Sequence, residues 1–385
     1  HFTQTYEGGN KVANPKLVRT LVENAMSGVD WLEGLGMKWN EKIGSVVGSM
    51  WPRTNQATDP LGTGYINTLE KAFLQHGGKI YTNTKVVGIL KKDNRVIGVT
   101  AIGADGKEVE FTGKKGVILA SGGYAANSEM VREFLSDGVY TKDKLPAGIE
   151  NTNHPGATGE VIKMALDAGA DVIDMKHIQL LPMPADRFGP TINVENVIFV
   201  NKDGNRYVRE DGRRDEISLA TFAQKDGQYY MINDSKIISQ DRKTTSAEDL
   251  DELIRKNTVV EAPTLEELAK KINIPAAALV ATVNKFNESV DKKSDEFGRD
   301  IWENKIDKGP FYATLRFPAL HHTMGGIKIN ENAEVIGKDG KIVPGLFAAG
   351  EVTGGIHGAN RLGGNAIADI IVFGRIAGKN AANAK

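Results

Sequence analysis

Leu320-His321-His322-Thr323-Met324-Gly325-Gly326, Ala348-Ala349-Gly350-Glu351 and His357-Gly358-Ala359-Asn360-Arg361-Leu362-Gly363-Gly364-Asn365-Ala366 set histidines, a carboxylate and a guanidinium into one short, glycine-dense region. Glycine-rich backbone lets main-chain N–H groups come close to a ligand. Interleaved His and Arg can hold a carboxylate. The combination suits a bulky cofactor with an anionic substrate beside it.

Working outward, residues 345–349 read as a strand, and residues 364–381 as a helix that closes the domain. Gly116-Val117-Ile118-Leu119-Ala120 is a continuous apolar run, expected as a strand buried on both faces of a parallel sheet. Ser121-Gly122-Gly123 follows at its carboxyl end, where α/β folds bind ligands. Asn153-His154-Pro155-Gly156-Ala157-Thr158-Gly159-Glu160 leads into a helix over residues 161–168, and a Gly/Thr-rich helix entry suits an anion as well as a plain capped turn. Residues 79–82, 85–91, 95–102 and 108–112 read as short strands of a β-meander. Asn14-Pro15 opens an amphipathic helix carrying Leu17, Val18, Leu21, Val22, Ala25 and Met26. A second helix over 64–76 sets Ile66, Leu69 and Phe73 on one face.

From about Lys176 to His322 the pattern changes. Strands at 197–201 and 229–233 alternate with helices. Thr264-Leu265-Glu266-Glu267 is a capping box, and residues 275–290 form another helix. This stretch reads as an inserted α+β domain, so residues 1–175 and 323–385 make one domain and residues 176–322 the other.

The chain has 385 residues, 40% of them hydrophobic and 25% charged, enough for two domains with their own cores. A net charge of −1 gives no electrostatic argument for nucleic acid or an anionic membrane. No apolar run reaches membrane-span length. With no cysteine, disulfides, Cys-ligated zinc, iron–sulfur clusters and thiol chemistry within the chain are excluded. A cysteine-free chain fits an extracytoplasmic setting, periplasm or cell surface. Compositional chance in a cytoplasmic protein explains it equally well.

The same motifs closely resemble the C-terminal signature of the fumarate reductase and succinate dehydrogenase flavoprotein family, especially its soluble fumarate and urocanate reductase branch. The resemblance runs from Asp30-Trp31-Leu32 through the 153–159 loop and Val200-Asn201-Lys202-Asp203-Gly204-Asn205-Arg206-Tyr207 to the C-terminus. It implies an α/β, Rossmann-like FAD-binding domain interrupted by a capping domain that closes over the substrate. It also implies reduction of an activated C=C bond, anaerobic electron transport, non-covalent FAD, and an electron donor domain or protein. Related chains carry FMN or haem on an upstream segment, and no such segment is visible here. The G-x-G-x-x-G turn that takes the pyrophosphate is not found near His1, so the chain reads as lacking its first βαβ unit and is expected to hold FAD weakly as given.

By resemblance, Arg361 and His321 clamp the substrate carboxylate and Arg214, after Arg213, donates the proton. Adjacent His321 and His322 face opposite ways if extended, which assigns His322 to the flavin side. Val86, Gly122, Gly123, Glu160, His322 and Glu351 are implied to bind FAD, with the backbone of Ala366 and Ile367 at its pyrimidine end. No metal is expected, since no carboxylate stands at ligand spacing from the histidine pair. The chain departs from the fumarate reductases at Leu180-Leu181-Pro182-Met183 and at Gly189-Pro190-Thr191-Ile192-Asn193, which lack the residues that grip a second carboxylate and relay protons. A buried Leu cannot pair a carboxylate. A mono-acid such as an acrylate or urocanate is therefore expected, unless Asp186, Arg187 or His177 enters the pocket. Glu195 and Asp215 are the candidate relay acids. The alternatives are a desaturase running in the oxidative direction and a non-catalytic flavin electron-transfer module.

Overall fold

Asn14 caps the helix Pro15–Gly34 by accepting the Lys16 N–H at 3.0 Å, and Pro15 takes the first turn, where no N–H partner is needed. The computed structural model describes residues 1–146, 148–182, 191, 193–244 and 246–384. The Pro15–Gly34 helix lies against the last helix, Asn365–Asn383. Leu17, Val18, Leu21 and Leu32 are buried, but Met26 is 61% exposed, so the apolar stripe is narrower than the sequence suggested. The helix Thr63–Gln75 also turns a different face inward. Tyr65 and Leu69 pack against Leu32 and Met37, and the expected Ile66 and Phe73 are exposed.

The meander forms as one three-stranded antiparallel sheet of Lys85–Lys92, Arg95–Ile102 and Glu108–Thr112. Residues 79–82 are not a strand. Ile80 and Tyr81 are half-exposed with no ladder partner, and Tyr81 instead meets Phe111 edge-on at 5.0 Å. Val117–Leu119 does pair in parallel, with Ile342–Ala348. It is not buried on both faces, however, because Ile118 is 40% exposed. The described sheet has only three strands there, and no described element covers that side chain.

A second sheet has the strand order Ile198–Val200, Tyr229–Asp234, Phe311–Arg316 and Val260–Ala262. Its register puts Ile198, Ile232 and Ala313 on one face, which packs on the helices Leu265–Lys271 and Ala276–Lys292. Thr264 caps the first of these by accepting the Glu267 N–H at 3.2 Å. The opposite face carries Phe199, Tyr229 and Met231, which join Val47, Leu181 and Ile217 in a separate cluster. The largest core draws on residues from Leu17 to Leu180 and again from Leu320 to Ala381. The core under the second sheet draws only on Ile198 to Ala313. Between them runs the antiparallel pair Ile178–Leu181 with Ala319–Thr323, whose register slips between Leu320 and His322. No helix among the described residues is long and apolar enough to cross a membrane.

Candidate active site

Ala319–Thr323 is the strand that places both histidines. Residues 150–152 run alongside it, since Leu320 N–H donates to the Glu150 carbonyl and Thr152 N–H to the Leu320 carbonyl, each at 2.8 Å. Thr152 Oγ1 then meets His321 Nδ1 at 2.6 Å and fixes that ring. His322 turns to the other side, with Nδ1 3.2 Å from Glu351 Oε2. The two imidazoles thus serve opposite faces, as the alternation of an extended chain requires.

Arg214 is the first residue of the helix Arg214–Phe222 and is buried. Its Nε donates to the Val47 carbonyl at 2.8 Å and its Nη1 to Gln179 Oε1 at 3.1 Å. Gly48, at φ +77°, passes so close to the Arg214 stem that any Cβ there would collide with it. Gln179 ties the cluster together. Its amide nitrogen donates to the Arg361 carbonyl at 2.5 Å and to Asn360 Oδ1 at 3.0 Å. Arg361 is also buried, and its Nε has no partner. Among the described residues neither Arg214 nor Arg361 is ion-paired to a carboxylate.

The electrostatics follow from that arrangement. Burial, and then the neighbouring Arg361 charge, pull the Arg214 guanidinium well below its ordinary range. Burial holds Arg361 down to about 10, although Glu351 and Asp369 oppose the shift. His321 is pushed far down by burial and by both guanidinium charges, so it stays neutral at pH 7. His322 is lowered to about 4, chiefly by burial. Glu351 is desolvated too, but His322 and the Thr323 N–H outweigh that and hold it near 2.

The sequence-predicted Arg214, His321 and Arg361 are therefore brought together, with His322 and Glu351 directly behind. Gly123 backs onto Thr323 and Glu351, where a Cβ would clash, whereas Gly122 at φ +77° faces open space. Glu160 lies at the surface, 3.1 Å from Lys85 Nζ. Val86 is half-buried opposite Ala101. Asp215 accepts from Nε and Nη2 of Arg213, at 2.9 and 2.5 Å, and is already committed. Leu181 packs into the Val47–Phe199–Tyr229 cluster. Met183, Asp186, Arg187, Gly189, Pro190 and Ile192 lie outside the described residues. No metal-holding group of His, Asp and Glu occurs among the described residues. Gln179 and Thr152 were missed from the sequence, and His357 stood in the glycine-dense region without a role assigned to it. Gln179 is a polar residue in the otherwise apolar Ile178–Leu181, and that exception was the available signal. His357 is buried, 3.0 Å from Asp369, with its ring edge-on to His322.

The residues fit a flavin. His322 Nε2, His357 Nδ1 and Arg361 Nε are buried donors or acceptors without partners. A cavity of about 760 Å³, lined by Trp39, Trp51, Tyr65 and the Gly363–Ala368 turn, opens at the start of the helix Asn365–Asn383. Ala366 and Ile367 lie in its first turn, where the helix dipole favours negative charge. Arg214, His321 and Arg361 do not line this cavity.

Comparison with known proteins points the same way. Across 398 residues the chain is 39% identical to an NADH:acrylate oxidoreductase of Vibrio harveyi, covering all of this chain and 39% of that protein. It is 34% identical to a fumarate reductase (cytochrome) of Shewanella frigidimarina, covering 99% of this chain and 65% of that one. It is 36% identical to a urocanate reductase of Eggerthella lenta, covering 97% and 62%. The chain thus spans about two fifths to two thirds of these relatives' lengths. The open conformation of a flavocytochrome c3 fumarate reductase superposes with a TM-score of 0.71 at 33% identity, over 99% of this chain and 66% of that one. With the family model for an FAD binding domain matching residues 1–367, the chain belongs to the FAD binding domain family.

Proposed function

We propose that this chain carries the catalytic site of a flavin-dependent reductase acting on the C=C bond of an α,β-unsaturated carboxylate. The observation that supports this reading is a pair of buried guanidinium groups, Arg214 and Arg361, neither with a carboxylate bonded to it among the described residues, with Gln179 accepting from the Arg214 guanidinium and donating to the Arg361 main-chain carbonyl. Two unpaired buried cations are costly unless an anion joins them. Arg361 and His321 bind the substrate carboxylate and stabilise the negative charge that develops on it. When bound and reduced, FAD supplies the hydride. Arg214 gives its proton to the other carbon. Arginine is ordinarily a poor acid, but burial and the Arg361 charge weaken its hold on the proton. Gln179 and the Val47 carbonyl keep its guanidinium aimed. An electron donor domain or protein restores the reduced cofactor. In the oxidative direction the same residues run in reverse. A non-catalytic electron-transfer module would have no use for an unpaired Arg214 beside Arg361.

The substrate is a mono-carboxylate with an apolar or aromatic tail. Leu181 supports this, since it is built into an apolar cluster and offers nothing to a second charge. An unpaired far carboxylate costs about 3 kcal/mol, which is more than a hundredfold in rate. The test is kcat/KM of the FAD-loaded protein with reduced viologen for acrylate, methacrylate, cinnamate, urocanate and fumarate. Fumarate is expected to be slowest, and Leu181→His to narrow the gap. Fumarate as the best substrate would overturn the mono-acid reading. Oxidation of the saturated acids faster than reduction of the unsaturated ones would favour the desaturase.

A further inference from the structure

The second sheet carries a polar row on the face turned away from its helices. On Phe311–Arg316 the row is Thr314 and Arg316, and on Tyr229–Asp234 it is Asn233, beside Tyr229 and Met231. Register pairs Arg316 with Tyr229, Thr314 with Met231 and Tyr312 with Asn233. Apolar clusters flank the row. Tyr229 and Met231 join Val47 and Leu181 on one side, and Tyr312 packs with Leu250, Leu253 and Val259 on the other. Arg316 is fully buried, and its Nη2 reaches along the strand to Met231 Sδ at 3.8 Å. Its guanidinium therefore lies at the Met231–Thr314 pair, one same-face step of about 7 Å from Asn233. Arg316 Nε and Nη1, Thr314 Oγ1 and both amide atoms of Asn233 are buried without partners. Native interiors leave few such atoms, and a group of them on one stretch of sheet points to a ligand that joins them.

Charge decides what kind of ligand. Burial lowers the Arg316 pKa to about 10 against the opposing influence of Tyr229 and Glu248, so the group is still a cation at pH 7. Water would satisfy its N–H groups but leave a buried positive charge uncompensated, which is costly. Met231 Sδ is a weak, neutral acceptor. Glu248 is the carboxylate that acts on Arg316, yet its Oε2 is buried without a partner, as are Arg316 Nε and Nη1. Burial raises the Glu248 pKa against Thr244, Lys256 and Arg316, which makes it a reluctant counter-ion. We infer that Arg316, Thr314 and Asn233 bind a small monovalent anion, a halide or a one- to two-carbon carboxylate, on this face of the sheet. The guanidinium supplies the charge, and the Thr314 hydroxyl and Asn233 amide nitrogen supply neutral donors. All three side chains are at most 1% exposed, which restricts the ligand's size. The site stands apart from the reductase reading, since the charges acting on Arg316 do not include Arg214 or Arg361.

The experiment measures denaturation midpoints of the full chain as sodium gluconate is replaced by sodium chloride, bromide or formate at fixed ionic strength. Gluconate is too large to enter. The wild-type midpoint is expected to rise saturably with the small anions, as for any ligand that binds only the folded state. Arg316→Met should abolish the rise. Glu248→Gln should keep or strengthen it, because a competing negative charge is gone. Where Arg316→Met fails to fold, Thr314→Val with Asn233→Leu serves the same purpose. Crystals soaked in bromide should show an anomalous peak among Arg316, Thr314 and Asn233. A response to formate without one to halides would support the site and narrow its ligand to carboxylates. Equal midpoints in all four salts would overturn the proposal, and so would crystals soaked in bromide and in formate with neither ion on this face. A rise that survives Arg316→Met would place the ion elsewhere. Loss of the response in Glu248→Gln, with a lower midpoint in every salt, would make Glu248 itself the counter-ion and refute the anion site.

Discussion

Among the described residues, two buried clusters of arginine are built on opposite principles. In the first, Glu210 accepts Arg206 through both its oxygens at 2.8 Å and Arg299 at 2.9 Å, while Asp295 takes Arg206 from the far side at 2.9 Å. Desolvation would raise the Glu210 pKa, but the two guanidinium charges outweigh it and hold Glu210 below the carboxylate range. In the second, Arg214 and Arg361 share a glutamine and no carboxylate, and both are pushed down. A satisfied buried network holds a domain together. An unsatisfied one stores a demand for an anion, at a cost to stability that the rest of the fold offsets.

The sharpest way to break this contrast is Arg214→Ala. Turnover of the preferred acid should fall about a thousandfold, while FAD is still reduced by an artificial donor, because the proton donor acts only in the chemical step. Normal turnover would move the acid elsewhere, with Arg213 next in line. Glu210→Ala should do the converse. It leaves Arg299 without a carboxylate and Arg206 with Asp295 alone, and costs about 3–5 kcal/mol of stability, read by chemical denaturation, while kcat per folded molecule stays near wild type. A kcat loss as large as that of Arg214→Ala would erase the distinction between the clusters.

The His322–Glu351 pair sharpens it further through pH. His322 has a folded pKa near 4, below its unfolded value of about 6.5, so the unfolded chain binds the extra proton first. Stability should therefore decline as pH falls from about 6.5 towards 4. Glu351, held near 2, contributes stability that is present above its unfolded pKa and lost as pH falls through 2, in the same direction. Denaturation midpoints for wild type and His322→Gln across that range provide the check, and the variant should show a flatter decline. The smallest effect belongs to Glu160→Gln. Its exposed pair with Lys85 contributes well under about 1 kcal/mol, so neither stability nor FAD affinity should move. A clear loss of FAD would restore Glu160 to the cofactor site.

Much of this was legible in the chain. The helix start at Asn14-Pro15 and the cap at Thr264 are local chemistry and formed as read. His321, His322, Glu351 and Arg361 stood in one glycine-dense region, and Arg214 followed the Val200–Tyr207 motif that carries the resemblance. What stayed hidden was tertiary. Gln179 lies 182 residues from the Arg361 carbonyl it bonds, and Thr152 lies 169 from His321. Nothing local marks either partnership. Ile66, Phe73 and Ile118 were misassigned because an apolar residue carries no sign of which face finds a partner.

The Ala319–Thr323 strand has one more consequence. With His321 held by Thr152 on one side and His322 by Glu351 on the other, it is a partition a single residue thick. Substitutions one position apart should thus act on separate properties. On the proposed reading, changes at 321 would act on the affinity and geometry of the acid, and changes at 322 on the redox potential and retention of the cofactor. If the proposed reductase activity holds, a designer could adjust which acid is reduced and how strongly almost independently, by working along two consecutive codons.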